Sequence, residues 1–100
     1  MKTMLTSEDV LQLIREQADH LKNRFAVQKI GLFGSMVRGE SRPDSDLDVL
    51  VEFDVPSFDH YMDLKFYLED LFKRPVDLVT VASLKPKLRE NILREVRYAA

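Results

Sequence analysis

The sequence predicts an α/β (α+β) fold, with helices packed on a small mixed sheet of about three strands. Three observations predict it. Helical and strand periodicities alternate along the chain in the order α-β-α-β-α-β-α. Three short runs rich in β-branched and aliphatic residues, at 27–33, 47–53 and 76–81, are each bounded by turn residues. One hundred residues are enough for one compact core, so residues 1–100 are expected to form a single domain.

The first helix is capped by Thr6 or Ser7, with Glu8 and Asp9 favourable in its opening turn. Val10, Ile14, Ala18, Leu21 and Phe25 recur at helical spacing and predict one continuous helix. The strand at 27–33 follows, with Ile30, Leu32 and Phe33, and Gly34-Ser35 ends it. A short helix at 35–38 fits there, closed by Gly39, before a polar turn that runs to Pro43. The run at 47–53 is the clearest strand. Pro56 and Ser57 open the next helix, which carries the apolar stripe Tyr61, Leu64, Leu68 and Leu71. After a loop at 73–75 comes the strand at 76–81. Pro86 suits the first turn of a last helix, in which Leu88, Ile92 and Val96 are expected to face inward.

Composition narrows the function. The net charge is −2, with acids and bases nearly balanced and no Lys/Arg block, so strong non-specific nucleic-acid binding is not expected. The absence of cysteine removes disulfides, thiolate nucleophiles and Cys-based zinc sites. The N-terminus lacks an apolar signal core, and no apolar run approaches membrane-spanning length. The expectation is a cytoplasmic protein without a membrane association.

The unusual feature is the entrance to the 47–53 strand. Asp44, Asp46 and Asp48 stand at alternate positions directly before and within it, although strands disfavour Asp. Strand alternation puts Asp46, Asp48, Leu50 and Glu52 on one face and the wholly apolar Leu47, Val49, Val51 and Phe53 on the other. Asp46 and Asp48 would then lie roughly 6–7 Å apart at Cα. Two unit charges at ~6 Å repel by about 3 kcal/mol at an effective dielectric near 20. A divalent cation turns that repulsion into attraction, and Mg²⁺ prefers such carboxylate oxygens shared with phosphates. The bland alternative is a solvated acidic strand face, which for a bare Asp-x-Asp carries most of the weight.

Two further features add to the pair. Gly34-Ser35 sits where a strand meets a helix, a place whose free amides and helix dipole favour a phosphate. Arg38, one turn later, is suited to a phosphate or a carboxylate, or to plain solvation. Asp77 lies inside an apolar run, where a carboxylate is costly unless paired, hydrogen-bonded or metal-bound. If its strand neighbours the 47–53 strand, Asp77 joins Asp46 and Asp48. Three carboxylates can hold two Mg²⁺ ions for nucleotidyl transfer, with Asp77 also placed as a general base. His20 and His60 lack a second ligand at metal spacing and read as surface or packing residues. Phe58, Tyr61, Phe66, Tyr67 and Phe72 are more aromatics than one helix face can bury, which points to a partner surface.

Gly34-Ser35, Arg38-Gly39, Asp44-Ser45-Asp46-Leu47-Asp48 and Asp77, in that order and strand context, resemble the DNA polymerase β-like nucleotidyltransferase superfamily. The nearest likeness is to its minimal nucleotidyltransferase (MNT) type. The stretch from Leu88 to Val96, "LRENILREV", is similar to the C-terminal helix of these small proteins, so the resemblance covers nearly the whole chain. It implies the nucleotidyltransferase fold and a nucleotide site at Gly34, Ser35, Arg38 and Ser45. It also implies Mg²⁺, two ions, on Asp46, Asp48 and Asp77, with ATP as substrate. Small stand-alone members are antitoxins of toxin–antitoxin pairs. The resemblance therefore implies AMP transfer to a tyrosine of a HEPN ribonuclease toxin, and assembly into a homo- or hetero-oligomer. Two other functions remain open on sequence: an antitoxin that neutralises by binding alone, and a transferase acting on RNA or a small molecule.

Overall fold

The computed structural model describes residues 6–40 and 45–99; Asp44, the first of the alternating aspartates, lies outside them. The chain forms α1 (Ser7–Glu16), α2 (Ala18–Phe25), β1 (Val27–Phe33), α3 (Ser35–Arg38) and β2 (Leu47–Phe53). It continues through α4 (Phe58–Phe72), β3 (Val76–Thr80), a 3₁₀ turn (Val81–Ser83), α5 (Pro86–Glu95) and β4 (Arg97–Tyr98).

Thr6 caps α1 in a reciprocal capping box: its hydroxyl accepts from the Asp9 amide, and Asp9 accepts from the Thr6 amide. The expected single first helix is two. Gln17 leaves helical geometry (φ −100°, ψ 7°) and separates α1 from α2. The apolar spacing runs on across the break because Ile14 and Leu21, seven residues apart, share a face with or without one irregular residue. Ser57 caps α4 by accepting from the His60 amide at 3.0 Å, as Pro56-Ser57 predicts.

The sheet order is β3-β2-β1-β4. β1 pairs antiparallel with both β2 and β4, while β2 and β3 run parallel through the α4 crossover. The fourth strand is two residues long and too short to announce itself by pattern. It can pair with β1 because Gly31 has no side chain. A Cβ there would stand 2.7 Å from the Arg97 carbonyl oxygen. The third strand ends at Thr80, one residue earlier than expected, where Val81 turns into the 3₁₀ segment.

The two faces of the sheet are covered unequally. On one, Ile30, Leu32, Leu47, Val49 and Val51 meet Val10, Leu11 and Ile14 of α1, Leu21 of α2, and Leu64 and Leu68 of α4, all essentially inaccessible. On the other, the buried apolar side chains among the described residues are Phe33, Leu50 and Val81, with Val79, Leu84, Ile92 and Val96 packed partly against them. The acidic face of β2 is therefore not open along its length, since Leu50 is fully covered. The last helix also departs from expectation. α5 has no buried residue, Leu88 is 55% exposed, and Val96 lies just past its end. Among the described residues no helix is long and apolar enough to cross a membrane.

Candidate active site

The site lies where β1 and β2 begin and end side by side. β1 runs out at Phe33, which pairs with Asp48 near the start of antiparallel β2. Parallel β3 then sets Asp77 in register with Asp48, one strand over. Alternation points both carboxylates away from the main core, on the face that Phe33 and Leu50 share. Asp46 precedes the strand and is exposed, as is Asp77, while Asp48 is half-buried. Burial, then the charge of Asp77, then that of Asp46 push the Asp48 carboxyl above its ordinary value. The neighbouring Ser35 amide and the Arg38 charge pull the other way.

The Gly34-Ser35 turn packs directly on this carboxylate. Gly34 adopts φ +77° and ψ −150°, a conformation L side chains rarely take. A Cβ on Gly34 would overlap the Asp48 carboxylate oxygen. Glycine is thus required by the chain's own acid before any ligand is considered. α3 spans Ser35–Arg38 as expected, and Gly39 closes it in the left-handed region (φ +75°).

The predicted site residues come together in part. Gly34, Ser35, Asp48 and Asp77 form one contiguous group, and Asp46 is near enough for its charge to act on Asp48. Among the described residues, however, no three acidic or histidine side chains stand at ligating distance around one point. Arg38 Nη1 donates to Glu95 Oε1 at 2.7 Å and Nε donates to Glu40 Oε1 at 3.1 Å. Those two carboxylates hold the guanidinium above its ordinary value, Glu95 foremost. Ser45 offers its carbonyl to Arg74, which donates from Nε at 2.9 Å and Nη2 at 2.7 Å. The histidines play packing roles. His20 lies edge-on to Phe25, and the His60 Nδ1 lies 2.7 Å from the Val55 carbonyl oxygen.

Two residues of this neighbourhood were not legible beforehand. Glu95 ends α5 and accepts from the Gly34 amide at 3.0 Å as well as from Arg38. Arg74 anchors the segment that leads into Asp46. In sequence one is a helix acid and the other a loop cation. The only hint was that Arg38 could use a carboxylate, with nothing to say which.

A separate groove of about 520 Å³, lined by Phe53, Phe58, Tyr61, Leu78, Val79 and Thr80 among others, lies toward the C-terminal ends of β2 and β3. It is apolar and holds none of the carboxylates above. Phe58 and Phe66 are 76% and 57% exposed, as the surplus of aromatics predicted, whereas Tyr67 packs on Phe25 and donates to Gln17 Oε1 at 2.9 Å.

Comparison with known proteins points the same way as this geometry. The model of the nucleotidyltransferase domain family matches residues 14–99. The protein adenylyltransferase MntA of Thermococcus cleftensis is 45% identical over 96 residues, covering 95% of this chain and 97% of that one. A solved structure assigned as a minimal nucleotidyltransferase superposes with a TM-score of 0.78 at 38% identity, covering 96% of this chain and 98% of that one. An MNT antitoxin solved in complex with a tri-AMPylated HEPN toxin of Shewanella oneidensis shares the fold. Its TM-score is 0.63 at 22% identity, over 90% of this chain and 71% of that one.

Proposed function

Since the chain belongs to the nucleotidyltransferase domain family, we propose that it is a protein adenylyltransferase that moves AMP from ATP to a hydroxyl of a partner protein. The observation that carries this reading is the junction of turn and acids. Gly34 packs so closely on Asp48 that a Cβ there would overlap its carboxylate, and Asp48 stands in register with Asp77. A phosphate-type turn and a carboxylate pair thus lie directly against each other.

In this reaction the partner's hydroxyl oxygen forms a bond to the α-phosphorus of ATP. The α–β phosphoanhydride bond breaks, and pyrophosphate leaves with the electron pair. The hydroxyl proton passes to a carboxylate, and Asp77, exposed at the rim, is our candidate. The Ser35 hydroxyl and the donors that Arg38 does not spend on Glu40 and Glu95 receive the phosphates. The Gly34 amide is itself engaged with Glu95. The hard oxygen donors of Asp46, Asp48 and Asp77, and the burial and then the neighbouring acidic charges that raise the Asp48 pKa, fit Mg²⁺, two ions in our reading. When bound, the metal would stabilise charge on the phosphates and activate the attacking hydroxyl. Because the three side chains do not surround one point, metal binding requires them to turn inward.

For the partner we propose a HEPN-type toxin, adenylylated on tyrosine, with this protein as its antitoxin in the cytoplasm. The motif resemblance supports that choice. The MNT antitoxin that shares the fold is itself bound to such a toxin. The test is to incubate the protein with α-labelled ATP, Mg²⁺ and whatever co-purifies with it. Label on a partner tyrosine is expected. Label on RNA or on a small molecule, or none on any partner, would overturn the reading.

A further inference from the structure

We propose that Glu95 is a positioning residue of the nucleotide site, and that through it the C-terminal helix sets the geometry of the phosphate turn. The inference rests on the nucleotide-binding reading above and concerns a residue that reading does not use.

The two oxygens of Glu95 have separate tasks. Oε2 accepts from the Gly34 amide at 3.0 Å and Oε1 accepts from Arg38 Nη1 at 2.7 Å. One carboxylate thereby clamps the residue before α3 to the last residue of α3, across the four residues that include Ser35. Two of the five Arg38 N–H groups are spent on Glu95 and Glu40. The other three have no partner among the described residues and remain for an anion. A guanidinium held at two points has less freedom to lose when it meets a phosphate. The Glu95 side chain is only 24% exposed, against 48% for Arg38, so the pair is shielded on the glutamate side and open on the arginine side.

Glu95 is itself held in place. It is the last residue of α5, and Arg97–Tyr98 directly after it pairs with β1. The Ala99 amide donates to the Ile30 carbonyl at 2.9 Å, fixing the tail to the strand that runs into Gly34. α5 contributes no buried residue, so this polar clamp is a principal tie between the helix and the turn. Arg38 and Gly34 both hold the Glu95 carboxyl below its ordinary value, which keeps it charged at neutral pH.

The experiment compares the parent with E95A, E95Q and E95D by calorimetric ATP binding with Mg²⁺, by the KM–kcat split, and by the Gly34 amide resonance. A glutamine has one acceptor oxygen and so satisfies one donor of the two. We expect E95A to bind ATP more weakly, by up to about tenfold. KM should rise more than kcat falls, and the Gly34 amide should shift. E95D, which keeps two acceptor oxygens and the charge, should recover more of the affinity than E95Q. ATP affinity in E95A and E95Q equal to the parent's, with the Gly34 amide shifted, overturns the inference alone. Tighter ATP binding in both also overturns it, since the carboxylate would then compete with the phosphates. A parent that binds no ATP overturns the nucleotide reading and this inference with it.

Discussion

The two faces of the sheet divide the molecule's labour. One is closed by α1, α2 and α4 over a continuous core in which Leu32, Leu47, Val49, Leu64 and Leu68 are wholly inaccessible. Among the described residues the other buries Phe33, Leu50 and Val81, under a helix that buries nothing of its own. The groups assigned to chemistry lie on or beside the thin face, among them Asp48, Asp77, the Gly34-Ser35 turn, Arg38 and Glu95. Because side chains alternate along a strand, Asp48 can carry charge between Leu47 and Val49 without entering the thick core. A slip of one residue in β2 would exchange the two roles. Stability and function are therefore separable by substitution, and the separation can be tested.

The largest effect is expected at the acids. Asp48→Asn should abolish label transfer, because metal charge stabilisation is worth several kcal/mol. Its melting temperature should hold or rise, since a half-buried carboxylate repelled by Asp77 and Asp46 is removed. Near-parent turnover would break the division at its functional side. Asp77→Asn is expected to lose about 10²–10⁴-fold in transfer, the usual general-base contribution, while ATP and the partner still bind in calorimetry and pull-down. If this variant still protects cells from the toxin, neutralisation is by masking.

The thick face should answer in the opposite currency. Leu64→Ala removes a fully buried side chain and should cost about 2–5 kcal/mol in denaturant unfolding. Ile92→Ala, on the half-covered side of α5, should cost less, on the order of 1 kcal/mol. Equal losses at the two positions would mean that the thin face carries as much of the stability as the thick one.

The smallest effect is a pH dependence at the seam between the faces. The Glu95 carboxyl lies below its ordinary value of 4.5, chiefly through Arg38 and then through the Gly34 amide. The unfolded chain thus binds this proton more readily than the folded one. The stabilisation is complete above about pH 4.5 and is lost as pH falls through the lower folded value. The parent's melting temperature should therefore fall more steeply below pH 4.5 than that of E95Q. Parallel curves would show that the clamp contributes nothing to stability.

Much of this was written in the chain. The alternation of Leu47, Val49 and Val51 with Asp48, Leu50 and Glu52 determined which face of β2 is core. Thr6 or Ser7, and Ser57, marked two helix starts, and the order of Gly34-Ser35, Arg38, Asp46, Asp48 and Asp77 determined the family. These are local or periodic features, set by backbone sterics, capping and the two-residue strand repeat. The tertiary structure decided the remainder. It placed Asp77 opposite Asp48 rather than elsewhere along a neighbouring strand, because parallel register depends on how α4 crosses over. It set Leu50 under α5, left Leu88 in solvent, and brought Glu95 to Gly34 and Arg38 across 57 and more residues of chain. No sequence pattern encodes such pairings. A glutamate and an arginine carry the same signs wherever they stand, and only the packing of α5 and β4 against β1 determines that these two meet.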